Sequence, residues 1–289
     1  MIIINKLSKS YNGVLAINQV SLQLNNGEIF GFVGPNGAGK STTIKALLNY
    51  ILPDTGNATI DGLDIVKDNK AIKKLVGYVS SEVNFYPEFT ALEVIELAMR
   101  MHGVSDKNKL NHFIDLFSIE KDKKIKNLSL GNKKKVSIVS ALVLNTPILI
   151  LDEPTSGLDP LMQNVLFDQL KVMAKEGKTI FISSHNLKEV QDHCDRVAFI
   201  KAGKIIHVVK ISDKLKEGKY VRVKGDTKKL ENLDKVILME KENEISFVFT
   251  KDLSILIEVL SKMTIENLII ENLSLEHQFL QYYSEGEIK

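Results

Sequence analysis

Gly34, Pro35, Asn36, Gly37, Ala38, Gly39, Lys40, Ser41 and Thr42 follow one another in the pattern G-x-x-x-x-G-K-[ST]. These residue types suit the holding of a polyphosphate. Glycines at 34, 37 and 39 let the backbone curl, so that the N–H groups of the loop, those of Asn36 and Ala38 included, point into one concavity. A helix starting behind the loop adds its own unpaired N–H groups and the positive end of its dipole. Lys40 would reach β- and γ-phosphate oxygens. Ser41 would give its hydroxyl to Mg²⁺, and Thr42 would support an α- or β-phosphate oxygen. The competing reading, a glycine-rich turn with a chance lysine, does not account for the strand and helix on either side.

A second constellation is Asp152-Glu153, two carboxylates directly after the apolar run Ile148-Leu149-Ile150-Leu151. Parallel sheets place ligands at the carboxyl ends of their strands. Asp152 would there meet the Mg²⁺ held by Ser41, and Glu153 would polarise the attacking water. An acidic turn is the bland alternative, and the phosphate loop makes it the weaker one.

The elements that must position these groups are legible in the apolar pattern. Ile29-Phe30-Gly31-Phe32-Val33 reads as a buried strand entering the loop, and the residues from Thr42 as a helix packing Ile44, Leu47 and Leu48 inward. Ile2–Ile4, Val20–Leu24, Gly56–Ile60 and Val76–Val79 read as further strands, with turns at Asn12-Gly13 and Asp61-Gly62. From Thr90 the spacing becomes helical: Leu92, Ile95, Glu96 and Met99, then Leu110, Phe113, Ile114 and Phe117. This block, about 85–145, reads as an inserted helical subdomain. Thr179–Ser183 and Arg196–Ile200 return to strand, with helices between. The alternation predicts an α/β core with a mainly parallel sheet. From about 211 the polar stretch Lys214–Lys219 leads into a small α+β unit. It has strands near 220–223, 236–239, 245–249 and 265–271, a helix near 252–263 and a terminal helix from Ser274.

The 289 residues carry 44% hydrophobic and 26% charged side chains and a net charge of +2, enough for one large and one small domain, with nothing demanding nucleic acid. Lys133-Lys134-Lys135 reads as a solvated helix face and not as a nucleic-acid patch, since no aromatic residues interleave. Cys194, a single cysteine, excludes an internal disulfide and suggests a reducing compartment; it reads as a small buried hydrophobe. Met1–Lys6 reads as a strand and not as a leader. The longest apolar tract, Val136–Leu151, is broken by Asn145 and Pro147, so no membrane span is expected.

With three further motifs in order, the chain resembles the ATP-binding subunit of an ATP-binding-cassette (ABC) transporter over residues 1 to about 210. Leu128-Ser129-Leu130-Gly131-Asn132 resembles the family's L-S-G-G-Q signature. Pro154–Pro160 resembles its D-loop, and Ser183-Ser184-His185 its switch histidine. The resemblance implies a P-loop ABC ATPase core with an added antiparallel β part and the helical subdomain, followed by an accessory C-terminal α+β domain over 211–289. It implies Mg²⁺-ATP as the substrate complex, bound between two subunits, identical or different, paired head to tail. Ser129 and the Gly131 N–H would bind the γ-phosphate from across that interface, and Asp159 would tie the two sites together. His185 would hold the γ-phosphate and the water. Tyr11 would stack on adenine. A separate transmembrane permease subunit would carry the cargo, which places the chain on the cytoplasmic face of the membrane.

Two positions depart from the family pattern. Ser81, followed by Glu82, stands where a metal-contacting glutamine is usual; either Ser81 acts through water or Glu82 substitutes, if these two loop residues touch the metal at all. Leu130 replaces a signature glycine, while Ser129 and Gly131 are kept. The tail Leu273–Leu280 resembles the S-L-E-x-x-F-L ending of bacterial drug and antimicrobial-peptide exporters, so export is favoured over import. Two rival readings are a soluble ABC ATPase acting on ribosomes or DNA, and a weakly hydrolysing nucleotide-gated sensor subunit. A single cassette without sustained heptads disfavours the first. Intact Glu153 and His185 disfavour the second.

Overall fold

The computed structural model describes residues 1–211, 218–277 except 232, and 279. Two compact units emerge, Met1–Asn186 with His193–Val208, and Leu187–Asp192 with the described residues from Val209 onward.

The first unit holds two sheets. One is antiparallel and runs β2 (Val14–Leu24), β1 (Ile2–Tyr11), β4 (Thr55–Ile60), β5 (Leu63–Asp64). Asn12-Gly13, both at positive φ, closes the β1–β2 hairpin by pairing Tyr11 with Val14. The other sheet runs β10 (Lys204–Lys210), β9 (Arg196–Lys201), β3 (Ile29–Val33), β8 (Thr179–Ser184), β7 (Ile148–Asp152), β6 (Val76–Val79). Its pairs β9–β3, β3–β8, β8–β7 and β7–β6 are parallel. Strands β3, β7 and β8 are buried at every position, which is why they read as unbroken apolar runs. One core joins the antiparallel sheet, α1 (Lys40–Leu47) and the parallel sheet through Ile4, Val20, Phe32, Ile44, Ile150 and Phe181.

Between β6 and β7 lie α2's successors, α3 (Ala91–His102), α4 (Lys107–Leu116) and α5 (Leu130–Leu142); α2 itself (Asn69–Leu75) precedes β6. Thr90 and Glu93 form a capping box that starts α3. The buried stripe of α3 is Ala91, Val94, Ile95 and Met99, not the expected Leu92, Ile95, Glu96 and Met99. A carboxylate resists burial without a partner, so Glu96 and Leu92 flank the stripe, half-buried. On α4 the expected Leu110, Phe113 and Ile114 are buried, with Phe117 just after it. After β7, α6 (Pro160–Lys175) starts from Asp159, whose Oδ1 accepts from the Met162 N–H at 2.9 Å, with Pro160 in the first turn.

The second unit includes most of α7 (Leu187–His193) and a sheet ordered β12 (Val236–Lys241), β13 (Glu244–Phe249), β11 (Lys219–Gly225), β14 (Ile265–Asn272), antiparallel throughout. With α8 (Leu253–Ser261) it encloses a core of Val221, Val223, Phe247, Phe249, Leu256 and Leu260. His277 stacks on Tyr220 with ring centroids 3.7 Å apart, and the Leu275 N–H donates to Gln191 Oε1 at 2.7 Å. Residues 214–217 of the expected polar linker, and 278 and 280 onward of the tail and its expected helix, lie outside the described residues. Among the described residues no helix is long and apolar enough to cross a membrane.

Candidate nucleotide site at the ends of the parallel strands

Strand β3 ends at Val33, the glycine loop turns through 34–39, and α1 begins at Lys40. A Cβ on Gly34 would strike the Ile200 carbonyl of β9. At Gly39, φ is +106° and a Cβ would lie 2.6 Å from the Ala16 carbonyl, so both sterics and backbone demand glycine. No side chain caps α1, which leaves the N–H groups of its first turn available to an anion. Lys40 is 6% exposed. Its Nζ donates to the carbonyls of Gly34 (2.6 Å) and Pro35 (3.3 Å) and lies 3.3 Å from Glu153 Oε1. Ser41 and Thr42 follow on α1, half-buried.

Neighbouring strand ends supply the rest. In the register, Asp152 of β7 faces Ser183 of β8, and Ser184 of β8 faces Val33 of β3. Asp152 is fully buried; its Oδ1 accepts from Ser183 Oγ, while Oδ2 has no hydrogen-bond partner. Glu153 sits at φ +48°, a region costly for a side-chain-bearing residue. Two bonds hold it there, from its N–H to Ser183 Oγ (3.0 Å) and to the Ser183 carbonyl (3.2 Å). Glu153 Oε2 lies 2.7 Å from His185 Nδ1, so with the proton on Nδ1 the imidazole donates to the carboxylate. Lys40 and His185 therefore bracket one carboxylate, and the imidazole is exposed.

Ser129 and Gly131 stand elsewhere in the same chain. Ser129 Oγ accepts from the Asn132 N–H at 3.2 Å and starts α5. A Cβ on Gly131 would lie 2.5 Å from the Gly157 carbonyl, so this glycine permits the start of α5 to pack on the turn that follows Glu153. Asp159 is engaged as the cap of α6. Tyr11 ends β1, 46% exposed, with Lys9 Nζ 5.8 Å from its ring centroid. Ser81 is half-buried and Glu82 exposed; Ser80 Oγ donates to the Glu82 carbonyl and closes that loop.

One expectation fails. Lys134 is not on a solvated face: it is 2% exposed, and its Nζ donates to the carbonyls of Ser80 (2.8 Å) and Ser81 (3.2 Å). The helix turns this residue inward while Lys133 and Lys135 stay half-buried. Burial pushes its ammonium down to about 8, and the charges of Asp152 and Glu153 oppose that shift. Sequence reasoning also missed Ser183, which grips Asp152 and Glu153 together. Its signal was present, a serine two residues before His185 at the end of a buried strand.

The orphaned, buried Asp152 Oδ2 and the Ser41 hydroxyl in the first turn of α1 are hard oxygen donors of the kind that suits Mg²⁺. Among the described residues no group of three or more His, Cys, Asp or Glu side chains could hold a metal ion; Mg²⁺ is commonly bound by one or two protein oxygens together with phosphate oxygens and waters.

A family model described as "ABC transporter" matches residues 17–156. The chain is 33% identical to the bacitracin transport ATP-binding protein BcrA of Bacillus licheniformis, over 83% of this chain and 78% of that protein. It is 34% identical to the linearmycin resistance ATP-binding protein LnrL of Bacillus subtilis, over 70% of this chain and 67% of that one. A solved structure described as the ATP-binding subunit of an ABC transporter superposes with a TM-score of 0.70 at 28% identity, covering 74% of this chain and 91% of that one. A dimeric, post-hydrolysis ATP-binding cassette bound to ADP and Pi gives 0.68 at 26% identity, covering 73% and 99%. ABC ATPases bind ATP with Mg²⁺, generally dimerise, and associate with the membrane through permease subunits. The order of motifs, the superposed cassette and the extent of the matches converge: this chain belongs to the ABC transporter family, as an ATP-binding and ATP-hydrolysing subunit.

Proposed function

We propose that this chain energises an ABC exporter from the cytoplasmic face of the membrane, as one of two ATP-binding subunits, identical or different, attached to a separate permease. Export is favoured because relatives of the chain are named for bacitracin transport, linearmycin resistance and Nod factor export. In this reading residues 1–210 form the ATP-binding domain. The block 85–145 and the Ser81-Glu82 loop face the permease, and 211–289 is an accessory domain.

The observation that carries the reading is the meeting of Lys40, Asp152, Glu153 and His185 at three adjacent strand ends. The loop N–H groups of Gly34–Gly39 and the hydroxyls of Ser41 and Thr42 cradle the phosphates, and Tyr11 stacks on the adenine. Ser41 and Asp152 Oδ2 would hold Mg²⁺, with Glu82, or Ser81 through a water, as a further oxygen; the ion would neutralise charge developing on the phosphate oxygens. An arriving γ-phosphate competes with Gly34, Pro35 and Glu153 for the Lys40 ammonium. Glu153, released on that side and still held by His185, then accepts a hydrogen bond from the attacking water and takes its proton. The exposed imidazole of His185 reaches the γ-phosphate. Ser129 and Gly131 bind the same phosphate from the partner cassette, and Asp159 links the two sites. Loss of the γ-phosphate on hydrolysis removes that bridge and opens the pair.

A tagged form of the chain, purified from gently solubilised native membranes, tests the assignment. Stoichiometric recovery of a polytopic membrane protein is expected. Recovery in the soluble fraction with ribosomes or DNA, and without a membrane partner, would overturn it.

A further inference from the structure

We propose that Lys134 is a positioning residue for hydrolysis, tying the start of α5, with Ser129 and Gly131, to the Ser80-Ser81 loop. This rests on the ATPase reading of the site given above. An ammonium at 2% exposure is expensive unless its donors are satisfied. Here the partners are two loop carbonyls, at 2.8 and 3.2 Å, and no carboxylate pairs with it among the described residues. An apolar side chain would fill such a place at lower cost if packing were the whole need.

The loop's location gives the contact its meaning. Strand β6 pairs with β7 up to Val79 opposite Leu151, so Ser80 leaves the sheet level with Asp152, the last residue of β7, one residue before Glu153. The buried charge of Lys134 feels both carboxylates. Position 81 holds a serine, too short to span from the loop to the metal as a glutamine can. The link between this loop and the rest of the site runs instead from α5, through the lysine, to the loop backbone. Any displacement of α5 that carries Ser129 and Gly131 then moves Ser80 and Ser81 with it. The residues beside Asp152 are thus set by the same helix that presents the signature motif.

The test uses the full chain assembled with its membrane subunit, carrying Lys134→Met, Lys134→Gln or Lys134→Arg, beside wild type and Glu153→Gln. Steady-state phosphate release gives kcat and KM for ATP, and thermal unfolding gives Tm. Misplacing the loop impairs the reacting geometry and not the grip on the nucleotide. Lys134→Met is therefore expected to lower kcat about 10- to 100-fold with KM within about twofold of wild type. Lys134→Gln, keeping one donor, falls between. Lys134→Arg, keeping charge and donors, recovers kcat to within about threefold of wild type. The proposal is overturned if folded Lys134→Met and Lys134→Gln keep kcat within about twofold, or if kcat merely follows Tm and Lys134→Arg does no better than Lys134→Met. Should Lys134→Met not fold, Lys134→Gln decides by the same criterion. Wild type hydrolysing no faster than Glu153→Gln would overturn the ATPase reading and the proposal together, whereas an active wild type with unaffected Lys134 variants overturns the proposal alone.

Discussion

Lys40, Lys134, Asp152 and Ser183 of the first unit are each at most 6% exposed, whereas the second unit encloses Val221, Val223, Ile245, Phe247, Phe249, Leu256 and Leu260. Among the described residues of that second unit, Ser246 and Glu189 are the buried polar ones. A buried charge opposes folding unless it finds partners, and it leaves a partly satisfied group such as Asp152 Oδ2 ready for a ligand. An all-apolar core has no such readiness; it supplies stability and a shaped surface. The difference separates a region that gathers buried charged groups at its strand ends from one whose described core cluster is built of apolar side chains.

The sharpest way to break the comparison is Glu153→Gln. Removing the carboxylate bracketed by Lys40 and His185 is expected to slow hydrolysis about 10²- to 10⁴-fold while ATP still binds, read by phosphate release beside equilibrium nucleotide binding. An unchanged rate would strip the first unit of its assigned chemistry. Next comes Phe247→Ala, in the core of the second unit, with an expected cost of about 3–5 kcal/mol. Denaturant unfolding should register that loss, while kcat per folded molecule holds; a selective fall in kcat would tie the apolar core of the second unit to hydrolysis. Ser183→Ala removes a donor to Asp152 and an acceptor for the Glu153 N–H in one step. A destabilisation of about 1–3 kcal/mol is expected, with hydrolysis down about tenfold; a silent variant would reduce Ser183 to packing.

The smallest effect concerns charge outside the site. Asp54 accepts from Lys9 Nζ, the Ser10 hydroxyl and the Ser10 N–H, which together hold its carboxyl down to about 2. A lowered folded value stabilises above the ordinary 3.8 and is lost as pH falls through about 2. The Tm difference between wild type and Asp54→Asn should stay level from neutral pH to about 4 and shrink below it. A difference that vanishes at higher pH would contradict the hydrogen bonding.

Legibility tracked the range of the interaction. The glycine loop, the onset of helical spacing at Thr90 and the turn at Asn12-Gly13 depend on residues a few positions apart, and each stood in plain view. The face of α3 was misjudged because Leu92 and Ala91 differ by one position on the helix, and neighbours decide which turns inward. Lys134 was misread because a lysine triplet resembles a solvated face until the distant Ser80 and Ser81 carbonyls are placed beside it. Strands β5 and β10 and helix α2 carried too weak a pattern to be read.

The amino-acid sequence by itself determined the chemical parts: a phosphate loop, a carboxylate pair after a buried strand, and a histidine after another. Tertiary structure alone decided how those parts meet. The order β3-β8-β7 sets Ser183 against Asp152, His185 against Glu153, and Glu153 against Lys40, across separations of 31, 32 and 113 residues. Strand pairing is bought with the burial of whole apolar faces, a sum over the sheet that no single motif contains, and so the partners of each candidate site group appear only once the chain has folded.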